Sequence, residues 1–311
     1  MCAGSYDWTG DVRTIAVILN YQTPGDTILA VRSLQADDKP VDAIVVVDNA
    51  SSDGSIDAFR KHLTEVAIVE CARNDGFSAG CNAGIAWALE HGATHVLLLN
   101  SDVIAPPGTV SALLAALESD GRIGIVAPEV RFRNNPDLVE SRGVSYDASS
   151  GRMRMIAHGQ RRQNLAAFDC CLVDGVSGCA MLIRREVLEA VGPLRNEYFF
   201  GFEDLYFCCR ARTLGFLIAC VGSASVLHEG SRSIGRRSPQ RAYWATRNHL
   251  LLASRFPPDS SRLGRAVRLA YVLCLNLAHV LTAPDIPLVS GMLASARGTR
   301  DFVRGRFGPP A

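Results

Sequence analysis

Short apolar runs alternate with stretches of helical periodicity through the first 130 residues, and this alternation constrains the fold more than any other feature of the chain. Each helical stretch begins after Asp, Ser or Pro-Gly, the residues that cap or start helices. The pattern is typical of an α/β fold in which a mostly parallel sheet carries helices on both faces. The predicted strands cover residues 15–19, 43–47, 66–69, 95–99 and 123–126, and the predicted helices cover 25–36, 53–64, 78–91 and 108–119.

The second half of the chain has weaker periodicity. Residues 131–170 collect Asn, Asp, Ser, Gly and Arg, which predicts a long excursion or a mobile loop. Order returns over residues 171–184, helices are predicted over 203–214 and 239–254, and a short strand ends near His228. A composition of 48% hydrophobic and 20% charged residues excludes a disordered or collagen-like chain.

Charge is distributed unevenly along the chain. Residues 1–228 carry 19 Lys and Arg against 27 Asp and Glu, whereas residues 229–311 carry 13 against 4. The net charge of +1 argues against nucleic acid as the main partner, because phosphate backbones are bound through a strong basic excess. The basic C-terminal part predicts an anionic ligand or surface near that end.

The ten cysteines form neither a metal-binding nor a disulfide pattern in the sequence. No Cys-x-x-Cys occurs, and the adjacent pairs 170–171 and 208–209 lack the spacing of a zinc site. The first 14 residues contain two Asp and lack the apolar core of a signal peptide. We therefore expect a cytoplasmic protein whose cysteines are reduced and mostly buried.

An almost wholly apolar segment, residues 267–283, lies near the C-terminus between clusters of arginine. Its 17 residues are fewer than the roughly 20 that a membrane-spanning helix needs. Basic flanks beside an apolar helix suit peripheral association with an anionic membrane surface. The alternative is a helix that packs on the body of the protein or on a second copy in a homodimer.

Polar side chains follow three of the predicted strands where the strands end. Asn20 and Tyr21 end the first strand, Asp48 ends the second, and Asn-Ser-Asp at 100–102 ends the fourth. A single Asp in such a place is more often a helix cap or turn residue than a ligand group. An open parallel sheet, however, places its ligand crevice at the carboxyl ends of its strands, so three such ends favour a binding site.

The segment Asn74-Asp-Gly76-Phe-Ser-Ala-Gly80-Cys-Asn82-Ala-Gly84 places three glycines at intervals of four where a helix begins. Gly80 and Gly84 are expected to allow close packing of helix on sheet, because glycine inside a helix needs a steric reason. Gly76 stands where backbone N–H groups at a helix start can face an anion. No Gly-x-Gly-x-x-Gly follows the first strand, which argues against a dinucleotide-binding dehydrogenase.

Three further positions are candidates for chemistry. Asp102 follows a buried strand, and its carboxylate suits a hard divalent cation that also binds phosphates and water. Glu203 and Asp204 begin a predicted helix, where carboxylates either stabilise the helix or take part in catalysis. His228 follows a strand and precedes a Gly-Ser turn, so it is either a metal ligand or a hydrogen-bonded structural residue.

The order of these motifs along the chain resembles the family 2 glycosyltransferases, which have the GT-A fold, and in particular their bacterial rhamnosyltransferase-like branch. The resemblance covers residues 13–255. The motifs that carry it are Val-Asp48-Asn-Ala-Ser51-Ser-Asp-Gly-Ser, Asn74-Asp-Gly-Phe, Leu-Leu-Asn100-Ser-Asp102, Phe-Glu203-Asp204 and His228-Glu-Gly-Ser.

The resemblance implies a GT-A, Rossmann-like α/β domain with a C-terminal helical extension. A short N-terminal tail would precede a nucleotide-sugar-binding half and an acceptor-binding, catalytic half of the same domain. The corresponding ranges are 1–12 for the tail, 13–130 and 131–256 for the two halves, and 257–311 for the extension.

The resemblance also implies a role for each matched residue. Asp48 would contact the nucleobase of the donor, and Asp102 with His228 would bind Mg²⁺ or Mn²⁺ on the diphosphate. Asp204 would act as the general base, with Glu203 beside it. The other implied donor contacts are Asn20, Tyr21, Asn49, Ser51, Gly76, Asn82, Asn100 and Ser101, and the implied acceptor side includes Gly175, Ser177 and Gly178.

These roles predict an inverting transfer of one sugar from a nucleoside-diphosphate sugar to an acceptor hydroxyl. A carboxylate at Asp48 suits the imide N–H of uracil or thymine, so the expected donors are UDP and dTDP sugars, with dTDP-rhamnose first by resemblance. The acceptor would be a glycan, a lipid-linked sugar or a small molecule, as in the synthesis of bacterial cell-surface polysaccharides or glycoconjugates.

The sequence departs from the family pattern at three places. Ser101 replaces an acidic residue of a full Asp-x-Asp site, which puts the strength of metal dependence in doubt, and Tyr206 replaces a frequent second carboxylate. Residues 240–244 do not form the Gln-x-x-Arg-Trp motif of processive synthases.

Two other functional classes compete with this hypothesis. A sugar nucleotidyltransferase would need an early Gly-rich loop with Arg and Lys, which the segment after Leu19 lacks. A catalytically silent glycosyltransferase-like binding or scaffold protein is disfavoured by the joint presence of Asp48, Asp102, Asp204 and His228.

Overall fold

The structure, a computed structural model, describes residues 12–38, 41–230, 238–257, 261–283 and 286–309. A mixed sheet of ten strands forms its centre, and apolar clusters under the helices cover both faces of the sheet. The strands are β1 (Thr14–Asn20), β2 (Ala43–Asp48), β3 (Ala67–Glu70), β4 (His95–Asn100), β5 (Val103–Ile104), β6 (Ile123–Phe132), β7 (Asn135–Ser141), β8 (Val144–Asp147), β9 (Arg152–Met155), β10 (Cys170–Leu172), β11 (Ala180–Arg184) and β12 (Leu217–His228). The helices are α1 (Pro24–Gln35), α2 (Ser55–His62), α3 (Phe77–Glu90), α4 (Thr109–Ser119), α5 (Arg185–Val191), α6 (Glu203–Thr213), α7 (Pro239–Arg255), α8 (Arg262–Thr282) and α9 (Leu288–Val303).

The N-terminal half contains the predicted parallel sheet. β3, β2, β1 and β4 lie side by side in this order, and each pair runs parallel. The register pairs Asn20 with Asp48 and Leu19 with Asn100, so the strand ends that carry polar residues meet at one edge of the sheet. Helices α1 to α3 connect these strands and α4 leads from β5 to β6, which confirms the alternation that the sequence predicts.

Two glycines of α3 allow the helix to lie close to the sheet. A Cβ atom at Gly80 would lie 2.4 Å from Leu19 Cδ1, and one at Gly84 would lie 2.2 Å from Val17 Cγ1. No side chain fits at such distances, so the predicted packing role of both glycines is confirmed.

The second half continues the same sheet. β11 lies antiparallel between β4 and β6, and β12 runs parallel to β6. Residues 131–170 are ordered, which corrects the expectation of an irregular excursion: β6 extends to Phe132 and pairs with β7, and β8 and β9 form a hairpin. β9 and the first half of β7 are largely exposed, so apolar alternation does not mark them in the sequence.

A buried carboxylate holds this segment to the sheet. The side chain of Glu129 is 1% exposed, and its oxygens lie 2.7 Å from Arg131, 2.6 Å from Arg142 and 3.3 Å from Arg162. Because a buried charge without partners is strongly unfavourable, these arginines are structural rather than a free basic surface.

The C-terminal helices pack on one another, with α8 and α9 both against α7. In the described part of the chain, α8 is long and apolar enough by length and composition to cross a membrane, with a mean hydropathy of 1.2, and 17% of its apolar window is buried. The nine described cysteines are free thiols. Residues 1–11 of the predicted tail and the predicted turn at Ser231 lie outside the described residues.

Candidate active site

A cavity of about 350 Å³, here called the β1–β4 cavity, opens at the carboxyl ends of β1, β2 and β4. This is the place where an open parallel sheet binds its ligand. Six of the predicted site positions line it, namely Tyr21, Asn49, Gly76 and 100–102. The other described lining residues are Leu19, Asn74, Phe77, Phe199, Phe200, Gln240 and Trp244.

Asp48 ends β2 and is 2% exposed. Its Oδ1 accepts a hydrogen bond from Asn20 Nδ2 (2.7 Å), and its Oδ2 accepts one from the backbone N–H of Ser51 (2.8 Å). Asn20 Oδ1 in turn accepts a bond from Thr27 Oγ1 (2.8 Å). Asn20 and Ser51 therefore orient the Asp48 carboxylate, whose oxygens each keep a second lone pair.

Two N–H groups at the start of α3, where the sequence predicts contacts to an anion, bond within the protein instead. The N–H of Gly76 donates to Asn74 Oδ1 (3.0 Å), and the N–H of Phe77 donates to the carbonyl of Phe199 (2.6 Å). Gly76 has φ of +97°, and a Cβ atom there would lie 2.5 Å from the Phe199 oxygen. Glycine is required here by the backbone and by this close approach.

Asn82 also has a different role from the predicted donor contact. Its Nδ2 donates to the carbonyl of Leu194 (2.8 Å) and to Asn196 Oδ1 (3.1 Å), and its Oδ1 accepts from the N–H of Leu194 (2.9 Å). Asn82 therefore ties α3 to the segment before α6. Asn49 does line the β1–β4 cavity, and its buried Oδ1 accepts no hydrogen bond from the described residues.

Asp102 and His228 meet although 126 residues separate them in the chain. β5 directly follows Asp102 and pairs antiparallel with the end of β12, where His228 lies opposite Val103. This pairing places His228 Nε2 3.3 Å from Asp102 Oδ1. Both side chains are buried, and the two residues to which the resemblance gives one metal site lie in contact.

Glu140, on β7, was not predicted and completes this cluster. Its Oε2 lies 2.9 Å from His228 Nδ1. Burial alone would lower the pKa of His228, but the carboxylates of Asp102 and Glu140 outweigh it and raise the pKa to about 9. Glu140 falls in the segment without visible periodicity, so no sequence signal linked it to the histidine.

The arrangement fits a divalent cation held by two protein ligands. Across the described ranges, no group of three or more His, Cys, Asp or Glu side chains could enclose a metal ion. A cation on a diphosphate needs fewer, because phosphate and water oxygens complete its shell. His228 Nε2 is buried and lies 3.3 Å from Asp102 Oδ1, and a cation bound between these two atoms would displace the proton that they share.

A second cavity, of about 260 Å³ and here called the α6 cavity, lies beside the first. Ser177, Gly178, Glu203, Asp204 and His228 all line it. Gly175 packs under α6 instead, since a Cβ atom there would lie 2.7 Å from Leu205 Cδ1. The two cavities have four lining residues in common, namely Phe77, Asn100, Phe200 and Trp244.

Asp204 lies in the first turn of α6 and is held by two backbone groups. Its Oδ2 accepts from the N–H of Gly178 (2.8 Å) and its Oδ1 from the N–H of Leu205 (2.7 Å). Burial raises the pKa of Asp204 in spite of these bonds, which lower it. Burial and the adjacent Asp204 raise the pKa of Glu203 to about 8, so Glu203 is protonated at neutral pH.

The loop before α6 forms the wall between the two cavities. Phe199 and Phe202 have φ of +58° and +73°, which is uncommon for residues with a Cβ atom. Asn248 Nδ2 donates to three carbonyls of this loop at 2.7 to 2.8 Å, those of Tyr198, Phe200 and Gly201. Asn248 on α7 therefore fixes the loop, although nothing in the sequence placed it near the site.

Comparison with known proteins decides the family. The profile of Glycosyl transferase family 2 matches residues 16–192. The chain belongs to this family. It is 28% identical over 249 residues to the N-acetylglucosaminyl-diphospho-decaprenol L-rhamnosyltransferase of Mycobacterium tuberculosis, covering 71% of this chain and 78% of that protein. It is 23% identical over 217 residues to the dTDP-rhamnosyl transferase RfbF of Shigella flexneri, covering 67% and 70%.

The fold is likewise shared with solved glycosyltransferases. The mannosyltransferase PcManGT of Pyrobaculum calidifontis, solved with GDP-Man and Mn²⁺, superimposes with a TM-score of 0.57 at 17% identity, over 96% of this chain and 84% of that one. The protein is thus a GT-A glycosyltransferase that uses a nucleotide-sugar donor, which confirms the family and fold predicted from its motifs.

Proposed function

We propose that this family 2 glycosyltransferase moves one sugar from a dTDP- or UDP-linked donor to an acceptor hydroxyl, with inversion at the anomeric carbon and a divalent cation on the diphosphate. One observation carries the proposal: Asp102 lines the β1–β4 cavity, His228 lines the α6 cavity, and Asp102 Oδ1 lies 3.3 Å from His228 Nε2. A diphosphate beside Asp102 would direct its sugar toward Asp204. The names of the two rhamnosyltransferase relatives support dTDP-rhamnose as the first donor to test.

Asp204 is the proposed general base. Its two backbone hydrogen bonds fix the carboxylate, and each oxygen keeps a lone pair that can accept the proton of the acceptor hydroxyl. The raised pKa makes it a stronger base than an exposed carboxylate, and the neutral Glu203 beside it adds no competing charge. The acceptor oxygen would attack the anomeric carbon from the side opposite the diphosphate and displace the nucleoside diphosphate in a single step, which inverts the anomeric configuration.

Asp102 and His228 are the proposed ligands of Mg²⁺ or Mn²⁺. When bound, the cation neutralises negative charge that develops on the leaving diphosphate. Ser101 is not an acidic ligand, and its Oγ lies 3.0 Å from Thr23 Oγ1. Asp48 remains the proposed contact of the nucleobase, oriented by Asn20 and Ser51.

The proposed acceptor is a lipid-linked sugar, and the proposed setting is the cytoplasmic face of a bacterial membrane. The support is the relative from Mycobacterium tuberculosis, whose name gives a diphospho-decaprenol acceptor. Apolar side chains in the α6 cavity, such as Met153 and Met155, would contact the acceptor sugar, and Ser177 and Gly178 border the place where its hydroxyl would approach Asp204.

Two measurements on the purified protein test the proposal. Nucleoside diphosphates that bind the folded state raise the melting temperature, so we expect dTDP or UDP to do so more strongly with Mn²⁺ than without it. Transfer from the matching nucleotide sugar should give a product of inverted anomeric configuration by NMR. The donor assignment fails if neither nucleotide raises the melting temperature, and a retained configuration would refute the role of Asp204.

A further inference from the structure

The face of α8 that packs on α7 carries two polar residues beside Val272 and Val280, whereas several large apolar side chains of this helix are exposed. Arg268 and Asn276 are buried and face α7: Arg268 Nε donates to the carbonyl of Ala253 (2.7 Å), and Asn276 Nδ2 lies 3.0 Å from His249 Nδ1. The opposite face is apolar and exposed, with Leu263 at 75% and Val267 at 62% exposure. A helix on the surface of a soluble protein normally buries its apolar stripe, so the exposed apolar face of α8 is suited to contact with another apolar surface or with lipid.

α9 extends the same exposed face. Its inner side carries small residues, and a Cβ atom at Gly298 would lie 2.6 Å from the carbonyl oxygen of Tyr243, so the helix lies close to α7. Its outer side exposes Val289 (73%) and Leu293 (61%). The α8–α9 surface, defined as Leu263, Val267, Tyr271, Leu281, Leu288, Val289, Met292, Leu293 and Val303, contains nine of the 15 exposed large hydrophobic residues in the described chain.

The border of the α8–α9 surface is basic. Residues 262–306 contain seven Arg and two Asp. Arg297, Arg300 and Arg306 line a cavity of about 680 Å³ between α7 and α9, together with Leu293 of the apolar face. Among the described lining residues the one acid is Asp301, whose Oδ1 lies 3.4 Å from Arg300 Nε and whose Oδ2 accepts a hydrogen bond from the Tyr243 hydroxyl (3.0 Å). An apolar face beside clustered arginines suits an interface with anionic headgroups.

We propose that the α8–α9 surface docks in the interface of an anionic bilayer, with both helices lying along the membrane and the arginines on lipid phosphates. The inference rests on the proposed lipid-linked acceptor and adds how the enzyme meets it. Gln240 lines both the arginine cavity and the β1–β4 cavity, so the basic border lies next to the donor site. The docked enzyme therefore presents its active site close to the headgroups.

Two other occupants fit the structure less well. A membrane-spanning α8 would have to leave α7 and carry Arg268 and Asn276 into hydrocarbon without their present partners. A second copy of the chain would bring two sets of arginines together across the contact, and like charges across an interface are unfavourable. A bilayer instead supplies both the apolar phase and the opposite charge.

Flotation of the full-length protein with vesicles tests the proposal. We expect binding to phosphatidylglycerol-containing vesicles at low salt, release at high salt, and little binding to pure phosphatidylcholine. Leu263→Glu with Val267→Glu should abolish flotation. Arg297→Gln with Arg306→Gln should weaken it by about 25-fold, roughly fivefold for each arginine. The matched control is Leu29→Glu with Arg32→Gln on the exposed face of α1, which should float like the unchanged protein.

The proposal is overturned if the unchanged protein does not float with acidic vesicles, or if the Leu263→Glu, Val267→Glu variant floats as well as the unchanged protein. It is also overturned if the protein forms a dimer in solution that this variant dissociates and does not bind vesicles. The nucleotide-induced rise in melting temperature is measured on every variant. A variant that loses flotation and keeps this rise supports the surface, whereas flotation without any rise contradicts the proposed function alone.

Discussion

Replacing Asp204 with asparagine tests the chemistry most directly. The side chain keeps its size but can no longer take a proton from the acceptor. General-base catalysis contributes about 10²- to 10⁴-fold to a rate, so we expect kcat for sugar transfer to fall by at least about 10²-fold. Donor nucleotide affinity should stay close to the unchanged value, because Asp204 lines the α6 cavity and not the β1–β4 cavity.

The structure also sets the expected effect of Asp204→Asn on stability. Asp204 accepts from the N–H groups of Gly178 and Leu205, one on each oxygen. Asparagine has a single acceptor oxygen, so one of these N–H groups would face an amide donor, at a cost of about 1–3 kcal/mol. Removal of a buried charge offsets part of this cost. The free energy of unfolding should therefore change by no more than about 3 kcal/mol, and the variant should fold.

The assay compares kcat, the Kd of the donor nucleotide and the midpoint of chemical denaturation. The matched control is Asp120→Asn, because Asp120 also accepts a backbone N–H, that of Arg122, but lies at the opposite edge of the sheet, before β6. It should keep full transfer activity. An Asp204→Asn enzyme that is folded and transfers within about tenfold of the unchanged rate would refute the base assignment.

Three further predictions concern the same site. Asp102→Ala should abolish the dependence of nucleotide binding on Mn²⁺ in calorimetry, with a smaller loss for His228→Ala; unchanged metal-dependent binding in Asp102→Ala would place the metal elsewhere. Glu140→Ala should weaken Mn²⁺ affinity by about 10- to 100-fold because the His228 ring loses its orienting carboxylate. Glu140→Gln should retain part of the Mn²⁺ affinity, and the control Asp137→Ala on the same strand should leave that affinity unchanged. The pKa of Glu203 is raised to about 8 from 4.5, so between these pH values the folded state holds a proton that the unfolded state releases, and the free energy of unfolding falls as pH rises. Glu203→Gln should reduce this fall. Denaturation midpoints with the same pH dependence in both proteins would contradict the prediction.

The parallel half of the fold was predictable because β1, β2 and β4 are buried and read as continuous apolar runs. The polar residues at their ends follow from the same geometry, since the β1–β2 register alone brings Asn20 beside Asp48. Side-chain partners were not predictable in this way. Asn82 and Gly76 stand in a motif that suggests donor contacts, yet their hydrogen bonds go to the segments around Leu194 and to Asn74.

Contacts between distant segments account for most of what the sequence did not show. Glu140 reaches His228 across 88 residues, and it lies on a strand whose exposed residues hide its periodicity. Asn248 reaches the loop before Glu203 across about 48 residues and lies within an otherwise ordinary amphipathic helix. In both cases the chemistry depends on a pairing that only the tertiary fold creates.

The C-terminal extension is joined to the catalytic loop through Arg247, which is 1% exposed and stacks on Trp244 with 4.4 Å between guanidinium and ring centre. Its guanidinium donates to the carbonyls of Glu197 (2.8 Å), Tyr198 (2.9 Å) and Gly308 (2.9 Å). A chain cut after α7 would lose the Gly308 acceptor and leave a buried cation short of a partner, which is strongly unfavourable. Because residues 197 and 198 lead into the loop before Asp204, such a cut would disturb the base as well as remove the α8–α9 surface. Membrane contact and catalysis can therefore be separated by substitutions on the exposed face of α8, but not by truncation.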